Sequence, residues 1–444
     1  MTFSLTWGCC RLLLIAFASY QLALNIAAQT PTPSTIDTLT LQQAIDLSVR
    51  QASAYRTAEI GGLIAKEDIT QAKAAFKPKV SVPLNFIYTS PSLGPERPRP
   101  PAFIGANAIT EFQALVEAAG EIDTSGKLRA TLEKNKALLA SANAGSEVAR
   151  RELTQAVVEA YYGLSLASLK RLGAENNLVT ATDFENVTKL NVEAGEIAPI
   201  DLVRARLQTQ LRRDELEQAK TDELVGAAAL RFLVGRSFTE PIATTDLLVE
   251  LPVSDEIERF ATATIQSRPE FAQFTADIQA AQQDAAIAKA ERKPQLTYSI
   301  RSGFVSDSLR LNPLKNHSGI EATIGFTIPI FDWGASRSRE TQARLKIQQA
   351  ENQRLLAERQ FAQDFYGARA QAISARDRIT LLGTSIRDAE TNVQTSIARY
   401  RAGEGPISEV IDAQDLLVTL KQALYKAIYD YQIAKSKLAR AAGR

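Results

Sequence analysis

The chain has 444 residues with 51 basic and 50 acidic side chains, and its net charge of +1 indicates no nucleic-acid partner. It contains one histidine, His317, and two cysteines, Cys9 and Cys10. Metal sites and nucleophilic active sites need several such side chains together, so we expect no cofactor, no metal and no enzymatic activity.

Residues 1–28 have the pattern of a secretory signal peptide. Arg11 precedes an apolar run over residues 12–24, and the small residues Ala27-Ala28 provide a cleavage site. The run is too short for a membrane anchor, which is the alternative, and its removal takes both cysteines with it. Beyond it the sequence has no run of about 18 apolar residues, which excludes a helical membrane protein.

The rest of the sequence contains the same order of segments twice. We predict a first repeat over residues 29–235, a linker over residues 236–253 and a second repeat over residues 254–444. The matching segments are Lys77-Pro78 with Lys293-Pro294, Ala194-Gly195-Glu196 with Ala402-Gly403-Glu404, and Gly235 with Gly443. A duplication of this length indicates an elongated assembly.

Each repeat is predicted to contain a helix, two strands and two further helices. The first repeat has a helix over residues 39–76, strands over about 79–90 and 107–121, a long helix over 127–194 and a helix over 200–235. The second has a helix over 255–292, strands over about 295–305 and 319–331, a long helix over 337–402 and a helix over 407–443. The hydrophobic period changes from about 3.6 to 2 after each Lys-Pro pair, which separates helix from strand.

The predicted strands alternate between apolar and polar residues. In the fourth strand the apolar positions are Ile320, Ala322, Ile324, Phe326, Ile328 and Ile330. About eleven residues match a tilted strand that crosses an outer membrane. A soluble sandwich is the alternative, but the sequence has no further sheet to cover this face, so we expect lipid there. Tyr88 and Trp333 would lie at the membrane interface; a core position is the alternative for Trp333.

The two long helices contain no proline. At about 1.5 Å per residue each would extend for about 100 Å, which is too long for a compact domain, so they must pack laterally. Each reverses at a glycine-containing turn, Gly195 to Pro199 in the first repeat and Gly403 to Pro406 in the second. We therefore predict two helical hairpins with tips far from the strands.

Four strands are too few to close a transmembrane barrel, so the barrel must be shared between chains. Two copies give eight strands and an interior filled by side chains, whereas three give twelve strands and an open lumen. The polar strand positions Thr297, Ser299, Arg301, Glu321 and Thr323 favour three copies. The predicted fold class is α+β but mostly α, with long antiparallel coiled-coil helices and four strands per protomer.

Several short motifs, in this order and duplicated, resemble the TolC-type outer-membrane efflux proteins over nearly all of the mature sequence. They are Leu39-Thr40-Leu41-Gln42-Gln43-Ala44, Arg268-Pro269-Glu270, the two Lys-Pro pairs, Ile328-Pro329-Ile330-Phe331-Asp332-Trp333-Gly334 and Tyr400-Arg401-Ala402-Gly403-Glu404 with Glu409-Val410-Ile411-Asp412-Ala413-Gln414. The resemblance implies a homotrimer with a twelve-stranded barrel in outer-membrane lipid and an α-helical barrel in the periplasm. It also implies a periplasmic adaptor (membrane fusion) protein and an inner-membrane pump as partners.

The resemblance also implies a gate at the helical tips. Glu409 and Asp412 match the acidic rings of the family, where six carboxylates would attract cations. Tyr400 matches a tyrosine that links the hairpins, with Asp201 as its acceptor. The family's basic partner is replaced by Gly405, and Arg399, Arg401 or Arg204 could substitute for it. Two solvated residues at a helix N-terminus are the alternative for the acidic pair.

The function predicted from these features is the outer-membrane exit duct of a tripartite efflux or type I secretion system. A periplasmic adaptor and a coiled-coil scaffold without a pore are the alternatives. An adaptor would have one helical hairpin and a β-rich domain, and a scaffold would not need alternating strands.

Overall fold

The computed structural model describes residues 38–91, 93–94, 109–245, 247–249, 252, 256–260 and 265–443. The predicted signal peptide and most of the proline-rich loop after Tyr88 lie outside these residues. The helices are α1 (Leu41–Arg50), α2 (Ala54–Ala74), α3 (Lys127–Glu193), α4 (Pro199–Val234), α5 (Pro269–Ala290), α6 (Leu311–Asn316), α7 (Ala335–Arg401) and α8 (Ile407–Ala441). The strands are β1 (Thr38–Leu39), β2 (Lys79–Ser81), β3 (Leu84–Tyr88), β4 (Thr110–Ile122), β5 (Ala243–Thr244), β6 (Gln295–Ser306) and β7 (Ser318–Thr327).

The helix predicted over residues 39–76 is two helices, α1 and α2. The chain is extended at Ser53, where φ is −153°, and the Ser53 hydroxyl accepts a hydrogen bond from the Arg56 N–H at 3.2 Å. A serine that caps a new helix in this way interrupts the preceding one. The single-helix prediction was therefore wrong at residues 51–53.

The helix predicted over residues 255–292 begins only at Pro269. The described residues before it form two short 3-10 turns, Glu258–Phe260 and Ile265–Ser267. Pro269 has no N–H to donate and keeps Arg268 out of the helical region, at φ −68° and ψ 137°. Proline therefore starts α5 and does not lie within it.

The strands of both repeats form one antiparallel sheet in the order β2/β3, β4, β6, β7. Pro83 interrupts the first predicted strand, because it cannot donate to the ladder, but β2 and β3 pair with β4 in one continuous register. The Leu115 N–H still donates to the Pro83 carbonyl at 3.2 Å. The strand predicted over residues 319–331 ends at Thr327, ahead of Pro329.

Two long helical hairpins make up the rest of the molecule. α3 and α7 have 67 residues each, and they pack along α4 and α8 respectively. The carboxylates of Asp123 and Asp332 accept backbone N–H groups at the start of α3 and α7, at 2.7 to 3.1 Å. Gly126 and Gly334 occupy the left-handed N-cap positions. Each long helix therefore starts directly after the sheet.

The core lies about midway along the hairpins. The Tyr161 hydroxyl donates to the Leu39 carbonyl at 2.9 Å, and the Thr245 N–H donates to that hydroxyl at 3.1 Å. The predicted linker thus packs against α3, where β5 pairs in parallel with β1. Among the described residues, no helix has the length and hydrophobicity that a membrane-spanning helix requires.

Candidate functional site

The two hairpin tips have the same backbone geometry. Gly195 and Gly403 are left-handed, with φ of 78° and 74°. The next residue in each turn, Glu196 or Glu404, donates its N–H to a carbonyl in the last helical turn at 2.9 Å. This is the glycine-closed helix end that the Ala-Gly-Glu sequences predict.

An apolar cluster joins the two hairpins at the tips. It contains Ala205 of α4, Tyr400 of α7 and Ile407 and Val410 of α8, all buried. The ring of Phe184 in α3 lies against Tyr400, with centroids 5.8 Å apart. Both tips therefore share one small core.

The predicted hydrogen bond from Tyr400 to Asp201 is not formed within the protomer. The Tyr400 hydroxyl is buried and has no hydrogen-bond partner, while Asp201 lies 3.8 Å from Arg204. Burial raises the pKa of Tyr400 and the nearby charge of Asp201 raises it further, whereas the Thr188 hydroxyl acts in the opposite direction. Tyr400 and Asp201 are therefore neighbours, held together by apolar packing and not by a direct bond.

The two predicted acidic residues have different surroundings. Glu409 accepts a hydrogen bond from Arg399 at 2.5 Å across the tip turn, whereas Asp412 is exposed and, among the described residues, has no ion pair. A Cβ atom at Gly405 would lie 3.0 Å from the Glu409 carboxylate and 3.6 Å from Arg399 Cβ, so glycine leaves room for this pair. Of the proposed substitutes for the missing basic residue, Arg399 is thus used within its own hairpin.

The sequence gave no indication of a second polar contact between the hairpins. Gln208 Nε2 of α4 donates to Asp415 Oδ1 of α8 at 2.7 Å, and Arg212 forms an ion pair with the same carboxylate. Arg212 also donates to both carboxylate oxygens of Glu215 at 2.8 Å. No local pattern could reveal a contact between residues so far apart in the chain.

The sheet has one exposed apolar face. Its exposed large residues are Val80, Leu84, Phe86, Val116, Ile300, Ile320, Ile324 and Phe326. They share a face because directly paired residues of antiparallel strands lie on the same side, as Tyr298 and Ile324 do. On the opposite face Arg301 is 3.0 Å from Glu117 and 3.9 Å from Glu321. The alternation predicted from the sequence is therefore a property of the whole sheet.

The two predicted interface aromatics lie at the margins of this face. Tyr88 ends β3 and is exposed. Trp333 follows β7 in a left-handed conformation with φ of 57°, and its side chain packs only against Phe331 and is 90% exposed. The alternative of a core tryptophan is therefore wrong within the protomer. Among the described residues, no group of three or more His, Cys, Asp or Glu could hold a metal ion.

Comparison with known proteins gives matches over nearly the whole chain. A family model described as outer membrane efflux protein matches residues 46–236 and 261–444. Protein CyaE of Bordetella pertussis is 24% identical over 418 residues, which cover 89% of this chain and 83% of CyaE. The cation efflux system protein CusC of Escherichia coli is 24% identical over 351 residues, covering 76% of this chain and 74% of CusC.

Solved structures share this fold. The crystal structure of CusC superimposes with a TM-score of 0.78 and 19% identity, covering 91% of this chain and 92% of that chain. The outer membrane protein VceC of Vibrio cholerae gives a TM-score of 0.77 and 18% identity, with coverage of 91% and 96%.

Proposed function

Since the chain belongs to the outer membrane efflux protein family, we propose that three copies assemble into an exit channel through the outer membrane and into the periplasm. The channel is a passive conduit of a tripartite efflux or secretion system. The energy for transport comes from an inner-membrane pump, and a periplasmic adaptor connects the pump to the helical tips.

The observation that carries this proposal is the sheet, which has an apolar face and two open edges. In lipid each unpaired backbone group would cost several kcal/mol, so the β2/β3 edge and the β7 edge need partners. Strand direction alternates across the sheet, so β7 of one copy runs antiparallel to β3 of the next. Copies can therefore complete one another's hydrogen-bond ladder.

The polar face supports three copies over two. Arg301, Glu117 and Glu321 would point into the cylinder, and charged groups need water there. Eight strands leave an interior filled by side chains, whereas twelve leave an aqueous lumen. α3 and α7, at about 1.5 Å per residue, would extend this lumen by about 100 Å.

The tips would form the periplasmic aperture. Tyr400, Asp201 and Arg204 lie where the hairpins meet, and Glu409 and Asp412 lie one helical turn apart beside them. We assign the gate to these residues. The structure changes the expected acidic ring, because Arg399 already pairs with Glu409 and leaves Asp412 as the free carboxylate of each copy.

Planar-bilayer recordings on the detergent-purified protein test the channel. We expect a trimer by light scattering and stepwise conductance after its addition to one side of the bilayer. A monodisperse monomer that is stable in buffer without detergent would contradict the proposal, since the apolar face would then need no lipid.

A further inference from the structure

A polar contact joins the two hairpins above the tip cluster. Gln208 and Arg212 are on α4, in the first hairpin, and both bind the carboxylate of Asp415 on α8, in the second. At about 1.5 Å per residue, Arg212 lies about 20 Å along α4 from its first residue, Pro199. The contact is therefore a separate layer from Tyr400 and Asp201.

Other ion pairs near the tips remain within one hairpin. Arg206 pairs with Glu185 inside the first hairpin, and Lys421 pairs with Glu390 inside the second. Among the described residues between the tips and the core, Asp415 forms the ion pair that connects one hairpin to the other. Any relative movement of the hairpins there must change this contact.

We propose that Gln208, Arg212 and Asp415 form a clamp that holds the hairpins together in the resting aperture and breaks when the aperture opens. This rests on the proposed channel function and adds regulation to it. The clamp acts within each protomer and independently of Tyr400, whose hydroxyl has no partner.

The chemistry of the clamp suits repeated opening. The Arg212 side chain is only 8% exposed, and a buried guanidinium without a partner would be costly. Glu215, on the same helix, binds it through both carboxylate oxygens at 2.8 Å and would keep it paired after α8 moves away. Asp415 is 49% exposed and can be solvated when released. Breaking the clamp therefore leaves neither charge buried and unpaired.

The substitution Asp415→Ala tests the clamp in the full-length protein. We expect about a tenfold increase in open probability in planar bilayers, which corresponds to about 1.4 kcal/mol. The matched control is Glu390→Ala, which removes a partly exposed carboxylate 3.0 Å from Lys421 without affecting contact between hairpins. We expect wild-type gating from this control. Equal open probability in the two variants, or fewer openings in Asp415→Ala, would overturn the proposal.

A cross-link provides the opposite test. The cysteines of the chain are at positions 9 and 10 only, within the predicted signal peptide, so Gln208→Cys with Asp415→Cys gives a defined pair. A short cleavable bis-thiol reagent should abolish opening, and cleavage should restore it. The control pair Glu390→Cys with Lys421→Cys should continue to gate after cross-linking. Opening of the cross-linked clamp pair would contradict the proposal, whereas failure of the wild-type protein to conduct would contradict the channel itself.

Discussion

Only one carboxylate of the predicted acidic pair is free to bind a cation at the tip. Glu409 is occupied by Arg399, whereas Asp412 is exposed. Charges farther away act less strongly, because the screening length is about 8 Å at physiological salt. Three copies would therefore present three free carboxylates, not six.

Block by a trivalent cation separates these two roles. We expect Asp412→Asn to weaken block by about tenfold, since it removes the group that contacts the ion, and Glu409→Gln to weaken it by about twofold. The measurement is the concentration for half-block of conductance in planar bilayers. Similar values for both variants would show that net charge, and not direct contact, attracts the ion.

A buried ion pair near the core explains part of the Arg268-Pro269-Glu270 motif. Arg268 donates to Glu270 at 2.6 Å, and its guanidinium lies 3.7 Å from the Phe361 ring centroid. Burial alone would raise the pKa of Glu270, but the hydrogen bond from Arg268 and the positive charges of Arg268 and Arg151 outweigh it, so the pKa is below the ordinary 4.5.

This pair should make stability depend on pH. A lowered folded-state pKa contributes stability above the unfolded value of 4.5, and the contribution is lost as the pH falls through the lower folded value. Glu270→Gln should cost about 3 kcal/mol at pH about 7 and much less at pH about 3.5, because it leaves Arg268 buried without its counter-charge. Chemical unfolding in detergent measures this difference.

The control for this prediction is Glu133→Gln, an exposed carboxylate 2.7 Å from Lys136 on the same helix surface. Exposed pairs of this kind contribute about 0.5 kcal/mol or less, so we expect almost no change at either pH. A Glu270→Gln effect as small as that of the control would show that the buried pair is not stabilising.

At the scale of elements, Gly303 determines how β4 and β6 approach each other. Its φ is 154°, and a Cβ atom there would lie 2.1 Å from the Ala114 carbonyl oxygen. Gly319, its direct partner in β7, has no neighbouring atom within 4 Å of a Cβ position. The two glycines thus occupy opposite steric situations in one ladder.

Alanine at each position tests this difference. We expect Gly303→Ala to reduce folded protein in the outer-membrane fraction at least tenfold, because backbone atoms of β4 would have to move. Gly319→Ala should accumulate like the wild type. Equal amounts of the two variants, measured by immunoblot of separated membranes, would refute the argument.

How well the elements could be predicted depends on the local signals at their ends. Proline-free runs with glycine turns gave the long helices to within two residues, since Gly195 and Gly403 terminate them. The break at Ser53 has no proline or glycine near it and was missed. Ile257 was assigned to a helix because of its apolar spacing, but it is buried in the core from outside any regular helix.

The site was less predictable than the fold, because its contacts join distant parts of the chain. Tyr400 and Asp201 were brought to one tip as expected, yet their hydrogen bond is not formed. Arg212 and Asp415 meet only because the two hairpins pack side by side, and neither residue stands out in its own helix. Tertiary placement, not local sequence, creates that contact.

For the whole molecule, the proposed function requires the two faces of the sheet to meet different solvents. Ile324 lies on the apolar face near the middle of β7, and its neighbour Thr323 lies on the polar face with Glu321. A lysine facing lipid at mid-membrane costs about 2–4 kcal/mol, and a trimer would incur this cost three times. A lysine facing the lumen would remain in water.

We therefore expect Ile324→Lys to abolish assembly in the outer membrane, whereas Thr323→Lys should still assemble and conduct. The added positive charges inside the lumen should also shift the reversal potential of Thr323→Lys towards anion selectivity in a salt gradient. Membrane fractionation and bilayer recordings of the matched pair measure both effects. If Ile324→Lys assembled normally and Thr323→Lys did not, the faces would be reversed and lipid would contact the side that carries Arg301.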